Sequence, residues 1–105
     1  MIAVDKETFQ AEVKETPGYV LVDFWSESCE SCKALMPEVM VLSEKYGSQV
    51  KFTKLDVAKA RRLAIAEQVL GLPTFVLYKD GQKISEVLKD DATIGNIEAM
   101  IQKNL

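Results

Sequence analysis

The sequence predicts an α/β domain in which a mixed, five-stranded central sheet is flanked by helices in the order βαβαβαββα. Three observations carry that prediction. The run Tyr19-Val20-Leu21-Val22-Asp23-Phe24-Trp25 is short, rich in β-branched and aromatic residues and apolar on both faces, as a central strand covered on either side must be. Stretches with helical periodicity separate it from the strand-like runs before and after it. Near the end, two strand-like runs are joined by Asp80-Gly81, a two-residue hairpin signal, so the last pair is antiparallel where the earlier strands are linked by crossovers. With 105 residues, 48% of them hydrophobic, the chain suits a single domain spanning 1–105 with one modest core.

The elements follow in order. Met1 to Val4 is an apolar run fit for a first strand, and Asp5 then caps a helix that carries Phe9 and Val13 on one face until Pro17-Gly18 stops it. After Trp25, a helix from Lys33 to Tyr46 presents Leu35, Met36, Val39, Met40, Leu42 and Tyr46 as a broad apolar face. Pro37 inside it removes a backbone hydrogen bond, and Gly47 ends it. Val50 to Leu55 alternates as a strand, Val50 and Phe52 against Lys51 and Lys54. Asp56 or Ala58 hands over to a helix from Lys59 to Val69, with Leu63, Ile65 and Val69 as its core positions. Gly71-Leu72-Pro73-Thr74 breaks that helix and opens a strand from Thr74 to Lys79, whose return partner is Gln82 to Leu88. Thr93 caps a final helix with Ile94, Ile97, Met100, Ile101 and Leu105 on its buried side. No repeat, linker or low-complexity segment interrupts the pattern.

Composition excludes several kinds of function. The net charge is -3 and no basic cluster exceeds Arg61-Arg62, so neither nucleic acid nor an anionic membrane surface is an expected partner. No stretch approaches the roughly 18 consecutive apolar residues of a membrane span. Met1 to Val4 runs straight into Asp5 without the apolar core of a signal peptide, which makes the cytoplasm the expected location.

Both cysteines of the chain lie in Trp25-Ser26-Glu27-Ser28-Cys29-Glu30-Ser31-Cys32-Lys33, on the turn from a buried strand to a helix. At C-x-x-C spacing on a first helical turn the sulfurs can close as a disulfide or part as two thiols. The first cysteine falls where unpaired backbone N–H groups and the helix dipole favour an anion, and thiolate is that anion. A structural zinc site wants four ligands; the chain has no histidine and no second cysteine pair, so only a site bridging a dimer could form, and no metal is expected. Inert thiols belong in apolar surroundings, whereas these sit among Ser28, Glu30 and Ser31. Redox chemistry is the reading that fits. Asp23, inside an otherwise apolar strand, is expected to be buried.

Asp23-Phe24-Trp25, the C-x-x-C at Cys29 and Cys32 followed by Lys33, Pro37, Lys54, Gly71-Leu72-Pro73-Thr74 and Asp80-Gly81 together give a chain that resembles the thioredoxin family over essentially its whole length. The resemblance implies the thioredoxin fold and a protein dithiol–disulfide oxidoreductase of reductant type, monomeric and without a bound cofactor. It implies a thioredoxin reductase as electron donor and disulfide-containing proteins as targets. Carried onto this sequence, Cys29 is the attacking thiolate and Cys32 the resolving thiol. Pro73 resembles the family's cis-proline facing the cysteines, and Leu72 offers backbone hydrogen bonds to an extended substrate segment, with Trp25 also on the substrate-binding surface. Asp23 resembles the buried carboxylate that shuttles the proton of the second cysteine, and Lys54 the neighbour that tempers its burial. Desolvation raises the pKa of such a carboxylate, which suits a base working near neutrality.

The sequence also departs from the family pattern. Ser28 stands where a tryptophan is usual, Glu30-Ser31 replaces Gly-Pro, and Lys89-Asp90-Asp91 lies near an expected Gly-Ala. The rim on which partners dock should therefore be smaller and more charged, a change that bears on recognition by a standard reductase more than on disulfide reduction itself. Glu30 and Ser31 become candidates for tuning the redox pair, the Glu30 carboxylate by disfavouring thiolate at Cys29. Two alternatives stay open: an oxidase or isomerase on the same fold, and a binding module without turnover, which has no need of Asp23 and Cys32.

Overall fold

Strand order in the single sheet is β1-β3-β2-β4-β5 in the computed structural model, which describes residues 1–105. The strands are β1 (Ile2–Val4), β2 (Tyr19–Trp25), β3 (Val50–Asp56), β4 (Thr74–Lys79) and β5 (Gln82–Leu88). β1, β3 and β2 run parallel, and the Asp80-Gly81 hairpin sets β5 antiparallel to β4. But β4 is also antiparallel to β2, so the helical link from β3 to β4 is not the parallel βαβ unit the order of elements suggests. β2 lies at the centre, and Val20 to Phe24 are buried without exception.

Alternation along β2 divides the core in two. Val20, Val22 and Phe24 pack with Phe9, Val13 and Ala64 on one face. Leu21 packs on the other with Val39 and Leu42 of α1 (Glu30–Tyr46) and with Ile97 and Ile101 of α3 (Ile94–Asn104). Asp23 shares the parity of Leu21, so its side chain enters the layer between the sheet and α1. α3 starts as its sequence suggests: the Thr93 hydroxyl accepts the Asn96 N–H at 3.1 Å. Ile97, Met100 and Ile101 are buried and Ile94 half-buried, while Leu105 is exposed at the chain end.

Three stretches differ from expectation. Asp5 does cap its segment, accepting the N–H groups of Glu7 and Thr8, and Phe9 and Val13 are buried. The helix itself is a wide π-type turn over Gln10–Lys14, with the Glu15 N–H on the Gln10 carbonyl at 2.8 Å. The Thr16 hydroxyl takes the carbonyls of Ala11 and Glu12, and the Lys51 ammonium also binds the Glu12 carbonyl, so side chains satisfy acceptors that an α-helix would have used. In α1 the start moves back to Glu30, because Cys29 is its cap, and Met40 is 42% exposed, one residue round the helix from buried Val39. Gly47 ends this helix in a right-handed conformation.

The helix expected from Lys59 to Val69 is shorter. A single 3₁₀ turn, Val57–Lys59, is capped by the Asp56 carboxylate and leads into α2 (Arg61–Ala66). The buried positions are the small residues Ala60, just before α2, and Ala64 within it, and Ile65, turned away from them, is 66% exposed rather than core; Leu63 is half-buried. Gln68, at φ 64, reverses the chain so that Val69 can return to the core. The hairpin turn has φ 51 at Asp80 and 82 at Gly81, and a Cβ on Gly81 would lie 2.1 Å from the Lys14 carbonyl oxygen. No helix is long and apolar enough to cross a membrane.

Candidate active site

β2 ends at Trp25, and a tight turn delivers the cysteines. The Cys29 N–H donates to the Ser26 carbonyl at 3.1 Å, and the buried Ser26 hydroxyl lies 3.2 Å from that of Ser28. Cys29 then caps α1 in an extended conformation, its Sγ accepting the Cys32 N–H at 3.2 Å, so sulfur occupies the place of an N-cap oxygen. The two sulfurs are bonded, S–S 2.16 Å with the Cα atoms 5.3 Å apart. The Ser31 hydroxyl, 3.6 Å from Cys29 Sγ, is the donor, since a bonded sulfur has no proton to give. Burial is unequal: Cys32 is wholly enclosed, whereas Cys29 is partly open to solvent. The Lys33 ammonium lies 3.5 Å from Glu30 and 4.0 Å from Glu27 and offsets part of their charge.

The loop before β4 supplies the other wall. The Leu72-Pro73 peptide is cis, and Pro73 is buried. The loop is held by the Lys89 N–H on the Pro73 carbonyl at 2.7 Å and by the Thr74 hydroxyl on the Gly71 carbonyl at 2.6 Å. The Lys89 stem lies over Gly71, where a Cβ would come within 2.3 Å of its Cε. Between them the backbone N–H and C=O of Leu72 make no hydrogen bond within the chain. A groove of about 720 Å³ runs past this free edge, with Ser31, Leu35 and Glu38 of α1 on one side and Leu72, Pro73 and Asp90 on the other. Leu35 and Glu38 escaped the sequence reading as groove residues, although their spacing from Ser31, four and seven residues, marks one face of a helix.

On the face of β2 that packs against α1, Asp23 is fully buried and neither carboxylate oxygen has a hydrogen-bond partner. Desolvation pushes its pKa up to about 7, with the Lys54 charge pulling the other way. Lys54 stands opposite Asp23 in the parallel β2–β3 register. Even so, its ammonium forms no ion pair and lies over the Trp25 ring, 5.7 Å from the centroid. Trp25 does not border the Leu72-Pro73 groove. It lines a separate hollow of about 480 Å³ with Lys54, Glu27, Asp56 and Lys59. The site thus gathers Ser31, Leu72 and Pro73 at one groove and Asp23, Lys54 and Trp25 on one face of the sheet. No group of three or more His, Cys, Asp or Glu side chains is placed to hold a metal ion.

A disulfide-bonded C-x-x-C pair capping a helix, one cysteine partly open and one enclosed, at the end of a strand that buries a lone carboxylate in a mixed five-stranded sheet, marks a thiol–disulfide oxidoreductase. The Thioredoxin family model matches residues 1–103. A thioredoxin from Acetoanaerobium sticklandii is 63% identical over 103 residues, 98% of this chain and 98% of its own. One from Peptoclostridium acidaminophilum is 56% identical over 105 residues, all of this chain and 96% of the relative. Thioredoxin C-2 of Corynebacterium nephridii is 33% identical over 99 residues, 94% of this chain and 91% of that protein. The chain belongs to the thioredoxin family, and it reduces disulfides through its cysteine pair. Thioredoxins generally take electrons from a thioredoxin reductase and pass them to disulfide targets.

Proposed function

We propose that the chain, a single domain acting as a cytoplasmic monomer, reduces protein disulfides with Cys29 as nucleophile and Cys32 as resolving thiol. The unequal burial of the two sulfurs is the observation that carries this assignment. In the dithiol form, Cys29 thiolate at the head of α1 attacks one sulfur of a target disulfide, forms a mixed disulfide and releases the other target sulfur as thiolate. Cys32, its proton taken by Asp23, then attacks Cys29 Sγ; the Cys29–Cys32 bond closes, the second target sulfur leaves, and two electrons have moved to the target. Asp23 suits this step because its raised pKa, with Lys54 tempering it, lets it both accept and release a proton near neutrality. The free Leu72 backbone edge beside Pro73 supports an extended target segment lying in the groove, paired as an added strand would be. Trp25 adds apolar surface beyond the cysteine turn.

The electron donor is a thioredoxin reductase whose docking face fits a rim made polar by Ser28, Glu30, Ser31 and Lys89-Asp90-Asp91. A Cys32→Ser variant tests the assignment. It should stop turnover in insulin reduction and accumulate targets attached to Cys29, releasable by dithiothreitol. Adducts found on residue 32 of a Cys29→Ser variant, with none on Cys29 of the Cys32→Ser variant, would reverse the two roles.

A further inference from the structure

The position of the Lys54 ammonium is unexpected on electrostatic grounds alone. Lys54 stands directly across a parallel ladder from an unpartnered carboxylate, yet no ion pair forms, and its ammonium lies instead against the Trp25 ring. Period-2 alternation puts Trp25 and Asp23 on the same face of β2, so the ring sits one step beyond the carboxylate, where the hollow opens. Trp25 and Lys54 are both only half-buried residues, and the indole face offers the partial negative charge that attracts a cation.

We propose that Trp25 is a positioning residue, whose ring holds the Lys54 ammonium at the outer end of the hollow and so leaves Asp23 free to exchange a proton rather than locked in an ion pair. This rests on Asp23 as the proton acceptor and assigns Trp25 and Lys54 as a unit that governs it. The other charged groups facing the hollow are Glu27 after β2, Asp56 and Lys59 around the end of β3, and Asp5 after β1, and none of the three acids forms an ion pair with Lys54. From β4, Asp23 faces Phe75, which carries no charge. α1 and its cap carry Cys32 and Cys29, which do not titrate while bonded.

The test is the titration of Asp23 in the oxidised protein, followed through its carboxyl carbon by NMR between pH 4 and 9, which needs no turnover. Trp25→Phe, with a weaker ring quadrupole, should let Lys54 move toward the carboxylate and lower the Asp23 midpoint by about half a unit, and Trp25→Leu by about one unit. The same Trp25 changes made on a Lys54→Gln background should shift the midpoint by less than about 0.2 unit, because the ring acts only through the ammonium. Trp25→Phe keeps the test readable should Trp25→Leu not fold. An equal shift on both backgrounds would mean that the ring acts by excluding water from Asp23, and the proposal fails. It fails also if the midpoint rises or stays where it was in Trp25→Phe. Should Asp23 not titrate in this window in the parent protein, its role as proton acceptor falls together with this proposal; in the other failures that role survives.

Discussion

Replacing Asp23 by asparagine probes the least comfortable group in the molecule, a carboxylate with no exposed surface and no hydrogen-bond partner. Burial raises its folded pKa to about 7 from an ordinary value of 3.8, and Lys54 offsets this only in part. Between those two values the unfolded chain has lost the Asp23 proton while the folded protein keeps it. The unfolded state therefore binds fewer protons, and stability falls as pH rises, by about 1.4 kcal/mol per unit. Below the lower value both states are protonated and nothing is lost; above the upper value the loss is complete, on the order of 4 kcal/mol. Asparagine cannot ionise and escapes that loss, but its amide is equally unpartnered and costs about 1–3 kcal/mol. Asp23→Asn should thus be no more stable than the parent near pH 4 and more stable by on the order of 1–3 kcal/mol at pH 8.5, while releasing mixed disulfides more slowly. Urea denaturation of both oxidised proteins at pH 4, 5.5, 7 and 8.5 reads the difference directly. A difference in stability that is flat across that range would show that Asp23 titrates alike in folded and unfolded chains, and the argument from desolvation would be refuted.

Two further outcomes follow from the cysteine turn. In the reduced protein, limiting iodoacetamide should modify Cys29 about tenfold or more faster than enclosed Cys32, as judged by mass mapping; preferential labelling of Cys32 would overturn the order of attack. Glu30→Gln should raise the rate of Cys29 alkylation at pH 7 by about twofold at most, an effect erased in 1 M salt, because the carboxylate is exposed and Lys33 lies 3.5 Å from it. A rate unchanged or lowered at low salt would mean that Glu30 does not act on the nucleophile.

Where the sequence reads true, side-chain size and burial coincide. β2, β4 and β5 begin and end where their apolar or alternating runs do, bounded by Gly18 and by the Asp80-Gly81 turn, and Thr93 marks the head of α3 by its own hydrogen bond. The reading fails around α2, where size and burial part company. The small residues Ala60 and Ala64 are the ones packed into the core, while Ile65 and Leu70 are left 66% and 82% exposed. A periodicity weighted toward large apolar residues selects Ile65 for the core and extends the helix to reach Val69. The π-type turn at Gln10–Lys14 is invisible for another reason: one of its carbonyls is met by Lys51, which reaches it from β3.

The site divides in the same way. Cys29 and Cys32 are legible because their chemistry depends on local spacing, and Asp23 because a lone acid in an apolar strand is anomalous wherever the strand lies. The register that sets Lys54 against Asp23 is a product of β2–β3 pairing that no local pattern prints. Even with that register known, the place of the ammonium is a matter of energies. To meet Asp23 it would have to shed water and enter a fully enclosed layer, and the Coulombic gain repays such desolvation only when the remaining hydrogen bonds are satisfied as well. Neither Asp23 oxygen has another donor to help. At the Trp25 ring, on a half-buried residue, the ammonium gains a weaker attraction without entering that enclosed layer. The lysine is thus held by the weaker, wetter partner, and both Asp23 oxygens are left without one.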